Sequence, residues 1–382
     1  MKLRVVFVDH VARLSGGEIA LLRLLPALAA HVDARVVLGE DGPLVDRLRD
    51  LGVETEVLPL PTRVRDARKE RMRARALDPT IVALVPPYVF RLSRRLRALR
   101  PDLVHTNSLK AALYGGIAAR LVGLPVVWHI RDRISPDYLP AGAVSLIRAA
   151  ARVLPAAVVA NSQTTLATLP AQRYGGVLYN PVVPDSVEQP LGAARRATSP
   201  TTIGIVGRLA PWKGQHVFLE AFAEAFRGSD VRGRVIGSAL FGEDAYAASL
   251  ERRVQELGIQ EQVEFRGFRE DVWAELRELD VLVHCSVSPE PFGQVVLEGM
   301  AAGLAVVAAG GGGPAELIRS GVDGLLTRPG DAGELAGALR RLHDDRELRT
   351  RLGAAARERS RTFTPERAAQ QLLAVYRAVL GR

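Results

Sequence analysis

Short apolar runs alternate with longer segments of helical period along almost the whole chain. The runs in the first half have the length and β-branched content of strands, at residues 3–9, 34–39, 53–58, 102–106, 125–130, 157–161 and 176–180. The pattern restarts in the second half, with strand candidates at residues 201–207, 231–237, 262–267, 280–285 and 304–309. Strands that alternate with helices in this way indicate βαβ units and parallel sheets.

The stretch between the two halves differs in composition. Residues 183–200 are rich in proline and small polar residues and lack a clear period, which is typical of an interdomain linker. We therefore predict an α/β protein with one Rossmann-like, doubly wound domain over residues 1–182 and a second over residues 201–362. Residues 363–382 are predicted to form a last helix, which has a Thr-Pro-Glu start signal. The carboxyl ends of the strands in such sheets are the places where ligands bind.

Bulk composition narrows the class of protein. The 382 residues include 48% hydrophobic and 24% charged positions, as in a globular protein long enough for two cores. No apolar run reaches the roughly 18 to 20 residues of a membrane span, and the first residues predict a strand instead of a signal peptide. We therefore expect a cytoplasmic protein. The single cysteine, Cys285, excludes an internal disulfide and a cysteine-based metal site.

The net charge of +9 comes almost entirely from arginine, since four of the 51 basic residues are lysine. No regular interleaving of aromatic with basic residues supports base stacking, so we expect no nucleic-acid partner. Residues 63–100 stand out, with twelve basic and three acidic residues. Either a solvated, partly helical insertion or a surface for anionic lipid or an acidic substrate explains them. A weak peripheral contact with the inner face of the membrane stays open.

Candidate binding loops follow the first strand of each half. Gly16 and Gly17 stand immediately before a predicted helix, where backbone amides can approach an anion and the helix dipole favours negative charge. In the second half, Arg208 and Lys213 flank the corresponding loop, where an arginine fork and a lysine ammonium could clamp a diphosphate. The alternatives are a structural Gly-Gly turn and two surface cations. No complete G-x-G-x-x-G is present, which disfavours a dehydrogenase.

Two glutamates and a glycine run follow in the second half. Glu290 lies in a predicted loop, and Glu298 falls in the second turn of a helix that begins near Phe292 or Gly293. Both carboxylates would then reach one site from different directions. A solvated loop charge and a helix charge that suits the macrodipole are the alternative. Four glycines, residues 310–313, precede the next helix, and their bare amides are a predicted cradle for negatively charged oxygen.

Together these segments resemble the retaining glycosyltransferases of family 4, the glycosyl transferases group 1, which have the GT-B fold. The similarity rests on GRLAPWKG, the E-x7-E element and the glycine run, and in the first half on SGGE, DLVHTNS, PVVWHIRD and LYNPV. It implies two Rossmann-like domains that face each other across a cleft, with the C-terminal helix packed on the N-terminal domain. It also implies transfer of a sugar from a nucleoside diphosphate sugar to an acceptor hydroxyl, with no metal or other cofactor.

The resemblance implies a role for each matching residue. Arg208 and Lys213 match the cations that neutralise the diphosphate leaving group. Glu290 matches a carboxylate beside the donor sugar, and His129 matches a histidine of the sugar pocket. Glu298 matches the glutamate that binds the ribose hydroxyls. The other donor-binding candidates are Gly16, Gly17, Gly267, Phe292, Gly293, Gly311 and Gly312, and the acceptor-binding candidates are His105, Asn107 and Arg131.

The sequence also bears on metal binding and on two alternative functions. No Asp-x-Asp motif is present to hold a divalent cation between phosphates, and the adjacent Asp344 and Asp345 fall in a predicted charged helix. A GT-B epimerase, or a non-catalytic protein that binds a sugar nucleotide, stays open as an alternative. The epimerase would need an acid–base pair of carboxylates in the first half, where we find no convincing pair. The sequence leaves open the donor base and sugar, the oligomeric state, and whether the acceptor is a small molecule, a glycan or a lipid-linked compound.

Overall fold

The computed structural model describes residues 2–65, 79–183, 200–239 and 242–381. Clustering of its contacts divides the chain into two compact units, Met1–Pro181 with Pro365–Arg382 and Val182–Thr364. The last helix therefore belongs with the first unit, although the whole second unit separates them in sequence. The predicted linker, apart from its end residues Val183 and Pro200, lies outside the described residues, as do residues 66–78 of the basic segment.

The first unit is built on a seven-stranded parallel sheet. Its strands are β1 (Leu3–Asp9), β2 (Val32–Leu38), β3 (Glu54–Val57), β4 (Leu103–Thr106), β5 (Val126–Ile130), β6 (Ala157–Ala160) and β7 (Gly175–Val177). They lie in the order β3-β2-β1-β4-β5-β6-β7. The connecting helices are α1 (Gly16–Leu28), α2 (Pro43–Asp50), α3 (Thr62–Arg65), α4 (Pro79–Leu99), α5 (Leu109–Leu121), α6 (Ala141–Val153) and α7 (Gln163–Leu166).

The second unit repeats this design with six parallel strands. They are β8 (Thr202–Val206), β9 (Arg232–Ile236), β10 (Val263–Gly267), β11 (Val281–His284), β12 (Ala305–Ala309) and β13 (Leu325–Thr327), in the order β10-β9-β8-β11-β12-β13. The helices are α8 (Gln215–Phe226), α9 (Asp244–Glu256), α10 (Val272–Arg277), α11 (Gln294–Ala301), α12 (Pro314–Leu317), α13 (Ala332–Asp344) and α14 (Arg346–Ser360). The central strands are nearly all apolar because helices cover both faces of such a sheet.

The C-terminal helix, α15 (Pro365–Leu380), completes the hydrophobic core of the first unit. Leu21 and Leu24 of α1 belong to the same buried cluster as Leu372 and Tyr376 of α15. A separate cluster on this sheet involves α4, α5 and α6. Leu372 and Tyr376 are fully buried. The helix therefore packs on the N-terminal half of the chain, as the family resemblance implies.

The α/β class and the parallel strands predicted from the apolar pattern are confirmed, with strand ends that shift by up to three residues. Two details are corrected. The sequence pattern did not reveal β13, which is three residues long and lies at the edge of its sheet. Asp344 and Asp345 do not share one helix, because α13 ends at Asp344 and the Asp345 side chain caps α14 by accepting from the amide of Leu348 at 2.8 Å.

Candidate active site

Each sheet has one position where the direction of strand addition reverses. In the first unit it lies between β1 and β4, and in the second between β8 and β11. Ligands of open α/β sheets bind outside the carboxyl ends of the strands at such a position. The loops that follow these strands contain Asn107, Arg208 with Lys213, and Glu290, and Gly16 and Gly17 begin the helix after β1. The fold thus places these six predicted site residues where each sheet is expected to bind a ligand.

The loop after β8 brings two cations to one indole ring. Residues 211–213 form a short 3-10 turn, and α8 begins two residues later. The guanidinium carbon of Arg208 lies 5.6 Å from the centre of the Trp212 ring, and Lys213 Nζ lies 4.5 Å from it. Both distances fit cation–π contacts. Trp212, which the sequence reasoning missed, therefore holds the two predicted diphosphate-binding cations near each other.

A buried amide fixes the backbone of this loop. Gln215 is 1% exposed and its Nε2 donates to the carbonyl of Arg208 at 2.9 Å. The hydroxyl of Tyr246 donates to Gln215 Oε1 at 3.4 Å and lies 3.0 Å from His216 Nδ1. Arg208 also lies 3.4 Å from the carboxylate of Glu243. Gln215 of α8 therefore fixes the backbone of Arg208, and the carboxylate of Glu243 positions its guanidinium.

Glu290 is the centre of a buried polar cluster. Its carboxylate pairs with the ammonium of Lys213, and the same oxygen lies 3.0 Å from His284 Nε2 and accepts from the Ser286 hydroxyl at 2.6 Å. Ser286 Oγ and His284 Nε2 are themselves 3.2 Å apart. Burial by itself would raise the pKa of Glu290, but Lys213 and His284 hold that pKa well below its ordinary value. Glu290 is therefore ionised and held in an ion pair with Lys213.

Three of the four amides of the glycine run, residues 310–313, donate to backbone carbonyls, which the sequence did not predict. The amides of Gly310, Gly311 and Gly313 donate to the carbonyls of Thr327, Ala309 and Glu290 at 2.7 to 2.9 Å. Gly312 has φ +71°, and a Cβ on it would lie 2.1 Å from the carbonyl oxygen of Glu290. Absence of side chains thus lets this loop pack directly on the Glu290 loop. Among the four glycines, the amide of Gly312 is the one that we retain as a donor-binding candidate.

Glu298 lies on α11, which starts after Gly293 as the sequence predicts. Its carboxylate is 7% exposed and accepts from Gln294 Nε2 at 3.2 Å, one turn earlier on the same helix. Phe292 is buried immediately before the helix.

Gly267 ends β10, two strands from the position where the sheet reverses, and its carbonyl accepts from the amide of Gly237 at 2.8 Å. The direct role predicted for Gly267 therefore has the weakest geometric basis.

In the first unit, a buried carboxylate at the end of β1 organises the neighbouring loop. Asp9 is fully buried and accepts from Asn107 Nδ2 at 2.7 Å and from the amide of His10 at 2.7 Å. His10 Nδ1 lies 3.2 Å from Asp9 and 2.8 Å from the Ser108 hydroxyl. Burial opposes ionisation of Asp9, yet these partners lower its pKa. The sequence reasoning missed Asp9 and His10, although both directly follow the apolar run of β1.

Arg131 links two predicted residues, Asn107 and His129, with Asn180, which was not among the predicted site residues. Its guanidinium donates to Asn107 Oδ1 at 2.9 Å and to Asn180 Oδ1 at 2.5 Å, and its Nη2 lies 3.3 Å from His129 Nδ1. Burial lowers the pKa of Arg131 to about 10, although Glu18 and Asp9 act in the opposite direction. These contacts favour a supporting role for Arg131, and for Asn107, over direct contact with an acceptor.

Gly17 makes room for this arginine. A Cβ on Gly17 would lie 2.9 Å from Arg131 Cδ, and its carbonyl lies 3.4 Å from Asn107 Nδ2. Glu18 forms a capping box with Ser15 at the start of α1, and burial together with the charge of Asp9 raises its pKa to about 7. The Gly-Gly turn therefore has a packing reason, and its amides also lie at a helix N-terminus.

His105 and His129 are neighbours on adjacent strands. His105 Nε2 lies 3.3 Å from His129 Nδ1, and His105 Nδ1 lies 2.9 Å from the hydroxyl of Tyr376. Both imidazoles are buried, at 0% and 2% exposure. His105 thus has both nitrogens engaged inside the unit, which favours support of His129 over contact with an acceptor.

Within residues 2–65, 79–183, 200–239 and 242–381, no group of three or more His, Cys, Asp and Glu residues is placed to hold a metal ion. None of the helices in those ranges is both long enough and apolar enough to span a bilayer.

Two family profiles match the chain, one in each half. The profile of the glycosyl transferases group 1 matches residues 192–359, and that of the glycosyl transferase 4-like domain matches residues 15–174. Together they include the glycine turn of the first half and the Arg208, Lys213, Glu290 and Glu298 loops of the second.

Individual proteins match either over nearly the full length or over about half of the chain. The chain is 29% identical to the 2-deoxystreptamine glucosyltransferase of Streptomyces kanamyceticus, over 96% of this chain and 99% of that protein. It is 35% identical to the D-inositol 3-phosphate glycosyltransferase of Corynebacterium glutamicum, over 46% of this chain and 42% of that protein. The HepE protein of Anabaena, crystallised in complex with UDP, is 27% identical with a TM-score of 0.84, over 99% of this chain and 100% of that one.

Proposed function

Since this chain belongs to the glycosyl transferases group 1, has the GT-B fold and transfers a sugar from a nucleotide sugar, we propose that its donor is a uridine diphosphate hexose. We further propose that it retains the anomeric configuration and needs no metal. HepE has been crystallised with UDP, with UDP and glucose, and with UDP-glucose. The Streptomyces relative is a glucosyltransferase. These neighbours favour glucose or a close analogue as the transferred sugar.

The observation that carries the metal-free proposal is the placement of Arg208 and Lys213. Both cations lie after β8 at the sheet reversal, within 6 Å of the centre of the Trp212 ring, and Lys213 is fixed by its ion pair with buried Glu290. A diphosphate that leaves a sugar gains negative charge in the transition state. Cations that are already in position stabilise this charge without reorganisation. Arg208 and Lys213 would thus take the part that a divalent cation has in other phosphate sites.

The reaction can proceed without a nucleophile from the enzyme. In the proposed course, the bond between the anomeric carbon and the diphosphate oxygen breaks, and the acceptor hydroxyl attacks from the same face. The acceptor's proton passes to the phosphate oxygen that departs, so that charge balances. Glu290 would lie against the sugar, where its negative charge stabilises the positive charge that develops on the ring. Glu298 would accept hydrogen bonds from the two ribose hydroxyls.

For the acceptor we propose a compact polyhydroxylated ring. Two relatives named above act on such rings, 2-deoxystreptamine and inositol 3-phosphate. The polar side chains of His10 and Ser108, which follow β1 and β4, are able to accept or donate hydrogen bonds to ring hydroxyls, with Asp9 behind His10 as a buried partner. Neither the epimerase nor the non-catalytic alternative gains support from a relative or from the geometry of the described residues.

The test is release of UDP from UDP-glucose, with 2-deoxystreptamine and inositol 3-phosphate as trial acceptors, in buffer that contains excess EDTA. We expect turnover at the same rate with and without EDTA, because the cations at the diphosphate are side chains. A thermal shift with UDP, GDP and dTDP serves as the control for the base, since a ligand of the native state raises the melting temperature. Turnover that EDTA abolishes and that Mg²⁺ or Mn²⁺ restores would refute metal independence, and preferential stabilisation by another base would refute the uridine donor.

We also propose weak, salt-sensitive attachment to the inner face of the membrane through the exposed side of α4. Phe90 is 62% exposed, and Arg91, Arg94 and Arg97 are exposed at helical spacing around it. An exposed aromatic ring among arginines suits a surface of anionic headgroups. Each arginine contributes about 1 kcal/mol near such a surface at low salt.

Co-sedimentation with vesicles of phosphatidylglycerol and phosphatidylcholine measures this attachment. We expect binding at low salt that is lost at high salt, and a several-fold decrease when Arg91 and Arg94 are both changed to glutamine. Arg152→Gln, which removes an exposed arginine from α6, is the matched control and should bind like the unchanged protein. Binding that persists at high salt, or equal binding to vesicles of phosphatidylcholine alone, would contradict the proposal.

A further inference from the structure

A continuous row of hydrogen-bonding side chains runs through the core of the first unit. It starts at Tyr376 on the C-terminal helix, passes through His105 at the end of β4 and reaches His129 at the end of β5. All three side chains are at most 2% exposed. The rings of His105 and His129 are edge-to-face, with centroids 5.4 Å apart. Residues this deeply buried have fixed partners, so the direction of each hydrogen bond can be worked out.

Arg131 sets that direction, because a guanidinium can only donate. Its Nη2 lies 3.3 Å from His129 Nδ1, which must therefore be the unprotonated nitrogen of a neutral ring. His105 Nε2, 3.3 Å from the same nitrogen, must carry a proton for the contact to be attractive. His105 Nδ1 is then unprotonated and accepts from the hydroxyl of Tyr376 at 2.9 Å. In this arrangement every contact along the row is attractive, and the two donors share the single lone pair of His129 Nδ1, each at 3.3 Å.

The arrangement leaves one donor without a partner. With its Nδ1 unprotonated, neutral His129 carries its proton on Nε2, and this buried atom has no hydrogen-bond partner in the described structure. Burial, reinforced by Arg131, lowers the pKa of His105 to about 3 and holds the pKa of His129 well below its ordinary value. Both rings are thus neutral at physiological pH. A buried N–H without an acceptor is costly, unless a ligand supplies the acceptor.

We propose that Tyr376, acting through His105, is a positioning residue that fixes the ring of His129, which Arg131 keeps in its neutral Nε2–H form, as a donor for a hydroxyl of the donor sugar. The identity of the ligand rests on the proposed function, whereas the protonation pattern of the row does not. In this role His129 orients the sugar and exchanges no proton. The last helix of the chain thereby contributes to sugar recognition by way of a side chain that touches no substrate.

The direct test is the tautomers of His105 and His129 in the ligand-free protein, measured by two-bond nitrogen–proton correlation after labelling with ¹⁵N-histidine. The signals of each ring are assigned by their loss in His105→Gln and His129→Gln. In the unchanged protein we expect the neutral form with the proton on Nε2 for both rings. In Tyr376→Phe, which keeps the ring but removes the donor to His105, we expect a second tautomer of His105 to become populated, while Arg131 still keeps the proton of His129 on Nε2.

Kinetics give the second readout. Tyr376→Phe should lower kcat/KM for UDP-glucose by roughly three- to tenfold, the effect of weakening one neutral hydrogen bond. Affinity for UDP, which has no sugar, should stay unchanged. Leu372→Val is the matched control, because it loosens the packing of the same helix without touching the row. It should lower the melting temperature and leave the tautomer and kcat/KM as they are.

The outcomes separate the two levels of inference. An unchanged His105 tautomer in Tyr376→Phe, or changes of equal size in Leu372→Val, would overturn the role of Tyr376. Absence of any sugar transfer by the unchanged protein would refute the proposed function, while the nitrogen–proton spectra would still decide the protonation pattern. A loss of UDP affinity in Tyr376→Phe as large as the loss of kcat/KM would also count against sugar positioning, because the effect would then lie at the nucleotide.

Discussion

Lys213→Met is expected to lower kcat by a factor on the order of a hundred to a thousand, which is the usual cost of removing one preorganised group that stabilises an oxyanion. The ammonium is held between the indole of Trp212 and the carboxylate of Glu290. Methionine keeps the length and apolar stem of lysine and removes the charge. The measurement is steady-state UDP release from UDP-glucose, alongside calorimetric binding of UDP.

Stability has to be separated from catalysis here, because Lys213→Met leaves Glu290 buried without its cation. Such an uncompensated charge is strongly destabilising, so the melting temperature should decrease in the single variant. The double variant Lys213→Met with Glu290→Gln removes both charges and should regain much of that loss, while kcat stays low. If the double variant recovers activity together with stability, Lys213 serves the fold and not the leaving group.

Glu290→Gln should lower kcat by roughly ten- to a thousandfold, about 1.4 to 4 kcal/mol of transition-state stabilisation, with little change in the affinity for UDP. The physical reason is that the proposed contact of Glu290 is with the sugar ring, whose positive charge appears only as the diphosphate leaves. Glutamine keeps the size and can still accept from Ser286. Glu298→Ala should do the reverse and mainly raise the KM for the donor, since ribose contacts are equally strong in both states.

The control for lost buried charge is Glu275→Gln in the same unit. Glu275 lies on α10, which follows the edge strand β10. It is 6% exposed and forms ion pairs with Arg266 at 3.0 Å and Arg269 at 3.2 Å. Its substitution should lower stability and leave kcat near that of the unchanged enzyme. If Glu290→Gln weakens UDP binding as much as Glu298→Ala does, the two glutamates form one nucleotide-binding unit and the proposed division of roles is wrong.

The fold class and family were accessible from sequence because their signals are local. Apolar runs of strand length, glycines before helices and the spacing from Glu290 to Glu298 all lie within short windows. The three-residue strand Leu325–Thr327 was not predicted, because a short strand at the edge of a sheet needs few apolar residues. The roles assigned to individual residues stay predictions, and the structure supplies the contacts from which they are argued.

The supporting residues were not accessible in this way. Tyr376 and His105 are 271 positions apart, so no spacing rule connects them. His284 and Ser286 near Glu290 belong to a strand end that reads as ordinary buried sequence. The glycine run was interpreted as a set of free amides, whereas close packing against the Glu290 loop explains Gly312. The contacts between backbone groups that are distant in sequence depend on the tertiary structure, and the amino-acid sequence pattern does not reveal them.

The position of α15 has a consequence for how the protein is made. The first unit takes part of its hydrophobic core from a helix that is synthesised after the whole second unit, so its folding cannot be completed during synthesis of the first half. Until Leu372 and Tyr376 emerge from the ribosome, the apolar side of α1 lacks its packing partner. Nascent chains with exposed apolar surface are prone to aggregate. A premature stop before α15 would therefore leave the core of the first unit incomplete, although the lesion lies beyond the second unit in sequence.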